Sequence, residues 1–102
     1  MAVLNQRGHV SMVVTGAAAN LTIPDGLRPK RALVQVLDNP IRYRMDGVDP
    51  TPASGHFKAV GDEIAWMGPE DEYDAWGVIH NVAFITDQNA TGDARLEVSL
   101  YD

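Results

Sequence analysis

The residues best able to do chemistry fall in a few places. Glu70, Asp71, Glu72 and Asp74 form the densest charge in the chain. Such a run could hold a divalent ion, meet a basic patch on a partner, or simply be a solvated loop. Tyr73 and Trp76 accompany it. Large aromatics are enriched at interface centres, with charge pushed to the rim, so this segment is a candidate contact surface. His9, His56 and His80 are scattered, with no H-x-x-x-H spacing and no cysteine beside them. No metal site is expected from them. Ser11, Ser54 and Ser99 have no obvious neighbouring base, and neither a G-x-S-x-G elbow nor a phosphate-cradling glycine loop occurs. With no base, nucleophile and oxyanion donor brought together, neither an enzyme nor a cofactor is expected.

The segment "IRYRMDGVDPT", residues 41–51, reads as a strand and its turn. Ile41, Tyr43 and Met45 alternate with Arg42 and Arg44, so the two sets face opposite ways. Asp46-Gly47 is a tight-turn pair, because glycine accepts a positive φ without steric cost. Asp46 and Asp49 can bond nearby backbone N–H groups, and Pro50 stops the loop from extending a sheet. A calcium loop would need roughly six to eight oxygens, and no EF-hand spacing follows. Asp46, Gly47 and Pro50 are therefore read as structural turn residues.

Short apolar segments surround these sites. Strands are predicted over 8–15, 21–23, 31–38, 41–45, 56–60, 63–67, 78–87 and 94–102, where Val, Ile, Leu and aromatics cluster between turns. Residues 31–38 carry Leu33 and Leu37 on one face and Ala32, Val34 and Val36 on the other, which predicts a central or doubly covered strand. Trp66 alternates with Ala65 and is placed in the core. Leu96, Val98 and Leu100 face in; Arg95, Glu97, Ser99 and Tyr101 face out. Helix is allowed only over 69–76, with Pro69 in the first position. Seven to eight short strands with frequent turns predict an all-β, antiparallel sandwich, jelly-roll or immunoglobulin-like, over residues 8–102. Residues 1–7 are read as an N-terminal arm whose Val3 and Leu4 could reach a neighbouring subunit.

The totals agree. The chain has 102 residues, no cysteine and a formal net charge of −6, with a sequence pI of about 4.8. One domain fits that length. An acidic balance lacks the basic footprint of a nucleic-acid binder. No apolar run approaches the roughly 20 residues of a membrane helix, and no signal peptide is expected. Synthesis in a cytoplasm fits this pattern.

"ALVQVLDNPIRYRMDGVDPTPASGH" (32–56) and "GDEIAWMG" (61–68) together resemble small β-rich virion structural proteins of tailed bacteriophages. The shared features are Arg42-Tyr43-Arg44, Asp46-Gly47, Pro50-Thr51, Gly55-His56 and Gly61-Asp62; residues 69–78 depart from the pattern. The Y-x-x-D-G-x-x-P-T core also resembles a hairpin in immunoglobulin-like modules appended to carbohydrate enzymes. The first resemblance implies a capsid decoration or cement protein in the virion. It would dock on the major capsid protein, often as a trimer, and bridge capsomers. Interface residues are then expected among Val3, Leu4, Arg42, Arg44, Tyr73, Trp76 and Tyr101. Arg42 and Arg44 could meet acidic shell residues or remain solvated. A head–tail connector, a tail component or a carbohydrate- or receptor-binding module are the alternatives.

Overall fold

The computed structural model describes residues 6–68 and 73–102. In chain order these form β1 (Gln6–Val14), β2 (Ala19–Asn20), β3 (Arg31–Leu37), β4 (Ile41–Arg44), β5 (His56–Lys58), β6 (Glu63–Trp66), α1 (Trp76–Ile79), β7 (Ala83–Thr86) and β8 (Ala94–Tyr101). Two four-stranded sheets result, in the orders β1-β8-β3-β6 and β2-β7-β4-β5. All neighbouring strands run antiparallel. The chain is thus the expected antiparallel sandwich. Its pairs are nested: β1 with β8, β2 with β7, β3 with β6, β4 with β5. This is one long hairpin rolled on itself, a jelly roll. It is not the immunoglobulin order, whose two sheets divide the strands differently.

The core follows from alternation. Ala32, Val34 and Val36 lie opposite Leu100, Val98 and Leu96, and all six are fully buried. Ile41, Tyr43 and Phe84 line the facing sheet, with Ile64 and the half-buried Trp66 closing one side. Each fully buried large aliphatic or aromatic side chain contributes about 1.5–3 kcal/mol over its exposed state. β3 is central, between β8 and β6. The second sheet covers only its alanine–valine face, so Leu33 and Leu37 point outward and are half-buried.

Several boundaries differ from expectation. Gln6 and Arg7 belong to β1 rather than to an arm, because Gln6 is in register with Tyr101. The second strand is Ala19–Asn20; residues 21–23 continue as a loop whose Leu21 still reaches the core. The helix lies at Trp76–Ile79, displacing the first half of the strand expected over 78–87. Val78, Ile79 and Val82 have spacing that suits one helical turn as well as a strand. Asp46-Gly47 does not make a two-residue hairpin turn. It opens the whole connection 45–55 between β4 and β5.

Strand directions sort the connections by end. The short ones, 15–18, 38–40, 59–62 and 87–93, lie at one end, and the long ones, 21–30, 45–55 and 67–82, at the other.

Candidate functional site

The long-connection end is organised around Arg31, which is 4% exposed. Its Nε donates to the carbonyl of Gly68 at 3.2 Å. Its Nη1 donates to the backbone carbonyl of Asp102, and the guanidinium lies 5.8 Å from the Tyr73 ring centroid. Tyr101 is in register with Arg31 and accepts the Lys30 N–H at 2.9 Å; Lys30 in turn accepts the Ala75 N–H at 2.9 Å. The Tyr73 ring fills the place of a side chain at Gly68: a Cβ there would come within 1.9 Å of it. The start of β3, the residue after β8 and the segment leading to α1 therefore meet at one buried cation.

Trp76 begins α1. Its N–H donates to Asp74 Oδ1 at 3.0 Å. Its ring stacks on His80 with centroids 4.9 Å apart, and the Arg28 guanidinium lies 5.8 Å from the Trp76 centroid. Arg28 also pairs with Asp74 at 3.4 Å. The Trp76 N–H, then the charge of Arg28, hold the Asp74 carboxyl below its usual range. Trp76 is thus half-buried against its own domain while still reaching solvent. Tyr101, far in sequence from the neighbouring Tyr73 and Trp76, shares this end with them. Exposed ion pairs Arg28–Asp74 and Arg7–Asp102 rim it. A cleft of about 260 Å³ opens between Arg7, Leu27, Arg28 and Asp102.

Arg42 and Arg44 lie elsewhere, on the outer face of the second sheet. Arg42 is engaged inside the domain: Nε donates to Asp87 Oδ1 at 2.7 Å, Nη1 donates to the Gly55 carbonyl at 3.0 Å, and the guanidinium lies 5.4 Å from the Phe57 centroid. The Asp87 carboxylate also accepts the Asn89 N–H at 2.9 Å. That bond first, and Arg42 second, lower its pKa. Arg44 Nε donates to Asp46 Oδ1 at 3.1 Å, and Arg44 is the main reason the Asp46 pKa is lowered.

The 45–55 connection folds back over this face. Gly47 and Gly55 take positive φ values of 80° and 128°, Pro50 is buried, and Thr51 and Ser54 bridge each other. Gln88 N–H donates to the Pro52 carbonyl at 2.9 Å, tying the loop to the far end of β7. Between loop and sheet an open cleft of about 440 Å³ is lined by Arg44, Met45, Asp46, Ser54, Gly55 and His56. Sequence reasoning missed Asp87 and Gly55 as partners of Arg42. The pairing of β4 with β7 that brings them together has no local signature.

Val3 and Leu4, with Glu70, Asp71 and Glu72, lie outside the described residues. Among those described, no group of three or more His, Asp or Glu side chains is placed to hold a metal ion, and no helix is long and apolar enough to cross a membrane. Comparison with protein-family models, with curated proteins and with solved structures finds no match to this chain.

Proposed function

We propose that the chain is a non-enzymatic structural component of a phage virion, a decoration or cement protein that docks on the major capsid protein and bridges capsomers. The supporting observation is the long-connection end. Tyr73 lies against the buried Arg31, Tyr101 is in register with it, Trp76 begins the helix that follows Tyr73, and the ion pairs Arg28–Asp74 and Arg7–Asp102 stand at the margin. Aromatic centre and charged rim are the usual anatomy of a protein contact. The fold alone does not choose, since jelly rolls serve as shell domains and as sugar-binding domains. The motif resemblance at 32–56 supplies the virion setting. In this reading Arg44 is the better shell contact of the two strand arginines, because Arg42 is held by the buried Asp87 whereas the partner of Arg44, Asp46, is exposed.

Quantitative mass spectrometry of purified particles tests the reading. A copy number comparable to the shell subunit is expected. A small fraction of it would favour a head–tail connector or tail component, and absence from the particle would overturn the virion assignment.

A second reading has its own support. The cleft beside Arg44, Asp46, Ser54 and His56 offers charged and hydroxyl groups on a recessed floor, which suits a carbohydrate- or receptor-binding module. Glycan binding by the purified chain, abolished by His56→Ala, would support that reading.

A further inference from the structure

We infer that the free edge of β1 is a self-association surface, on which the β1 of a second copy pairs antiparallel about a twofold axis at Val10. This goes beyond the virion reading and stands without it.

β1 spans Gln6–Val14 and has β8 as its one strand neighbour among the described residues. Among the described residues, no backbone–backbone hydrogen bond outside the strand ladders involves residues 6–14. On the outer edge Gln6 Nε2 approaches the Gly8 carbonyl at 3.4 Å. Every second residue of such an edge presents N–H and C=O outward. Natural edges are commonly blunted by proline, lysine, shortness or a bulge; this one has no proline or lysine, and its one irregularity is the register shift between Gln6 and Gly8 at its start, which leaves Gly8–Val14 regular. Its counterpart in the other sheet, β2, is only two residues long. The sandwich is therefore open along this flank, and Val10 and Met12 are only partly buried although they pack on the core.

The sequence of β1 is complementary to itself in one register. With Val10 opposite Val10 of the second copy, His9 meets Ser11, Gly8 meets Met12, and Arg7 meets Val13. No like charges face each other, and the longest inward side chain meets the smallest, beside Leu27, which already packs at Gly8. Val13 is 61% exposed and lies opposite Arg95 within its own sheet. In the pair it is flanked on the other side by Arg7, so two arginine stems cover it. Ser11, bonded to Glu97, comes between that carboxylate and His9 of the second copy. Moving the register by two residues would set His9 against His9 and lose this pairing. The product is one continuous eight-stranded sheet, twofold rather than the threefold assembly that the motif resemblance implies.

Sedimentation equilibrium of the full chain tests this, alone and as Val13→Glu and Val13→Arg. The expected result is a reversible dimer. Glu between Arg95 and the second copy's Arg7 tightens it, while Arg at the same place weakens it, each by roughly tenfold in dissociation constant, because the twofold counts each pair twice. Val10→Cys, the sole thiol, is expected to oxidise to a disulfide-linked dimer. A chain monomeric up to about 1 mM, a trimer, or equal responses to Glu and Arg would overturn the assignment. Circular dichroism of each variant checks folding, and the unmodified chain decides the oligomeric state by itself. Particle mass spectrometry tests the virion reading separately, so the two can fail independently.

Discussion

Arg42 Nε stands 2.7 Å from Asp87 Oδ1, and the Asp87 side chain has no exposed surface while that of Arg42 retains 23%. The two residues join β4 to the end of β7, and through the Gly55 carbonyl they also hold the returning loop. Removing the cation alone leaves a buried carboxylate with the Asn89 N–H as its remaining strong partner. Arg42→Ala is therefore expected to lower the melting temperature more than Arg42→Ala combined with Asp87→Asn. Thermal melts of the two single variants and the double variant measure the coupling; additive losses would contradict it.

Acid should unfold the domain through the same kind of group. Asp46, Asp74, Asp87 and Glu97 all have lowered pKa values in the fold, by Arg44, the Trp76 N–H, the Asn89 N–H and the Ser11 hydroxyl respectively. A carboxyl depressed by folding contributes stability that is complete above its unfolded value, 3.8 for Asp and 4.5 for Glu. The contribution disappears as pH falls through the depressed value. Denaturation midpoints should be level above about pH 5 and fall steeply below about pH 4. Asp87→Asn should be less stable at neutral pH and show a shallower acid loss.

Gly68 is required by Tyr73 rather than by its own backbone. A methyl group there would overlap the ring, and the Gly68 carbonyl is an acceptor for Arg31. Gly68→Ala should cost about 1–3 kcal/mol in chemical denaturation, in the range of overpacked cores. The paired variant Gly68→Ala with Tyr73→Ala should recover part of that loss. Gly16→Ala, with nothing near its Cβ, serves as the control and should be close to neutral.

Trp76 gives a fourth test. Trp76→Ala removes the stack on His80 and the contact with Arg28, an expected loss of about 1–2 kcal/mol. The sandwich should stay folded, since Trp76 is only half-buried and packs at the margin of a core whose strand residues are buried. If the long-connection end docks on a shell, the same variant should fail to decorate particles while retaining its near-ultraviolet spectrum from Trp66. Decoration at the level of the unmodified chain would remove Trp76 from the contact.

The sandwich was legible because period-two alternation is local. Residues 41–44 and 94–101 show it, residues 31–37 are a valine- and leucine-rich run apolar on both faces, and each is a strand. The stretch 76–82 was not legible, since its apolar positions suit a turn of helix as well as a strand, and what decides is the core contact of Ile79 and Val82. Arg42 and Arg44 look equivalent in sequence. They diverge only because β7 delivers Asp87 to one, while Asp46, two residues along, serves the other. The grouping of Tyr73, Trp76 and Tyr101 rests on which end each connection occupies, and that follows from strand order rather than from any motif.

The strand order also sets a schedule. Of the eight described strands β8 leaves the ribosome last, yet it lies between β1 and β3 in the finished sheet, and Tyr101 pairs with Gln6 at the opposite extreme of the described chain. Until it emerges, the two strands made earlier have nothing between them, and the valines and leucines meant for the core have no lid. Assembly of the first sheet must therefore wait until residues 94–101 have emerged. Pairings this distant in sequence place the domain among slow folders, on the scale of milliseconds to seconds. A nascent chain stalled before residue 94 would be a target for chaperones or for aggregation.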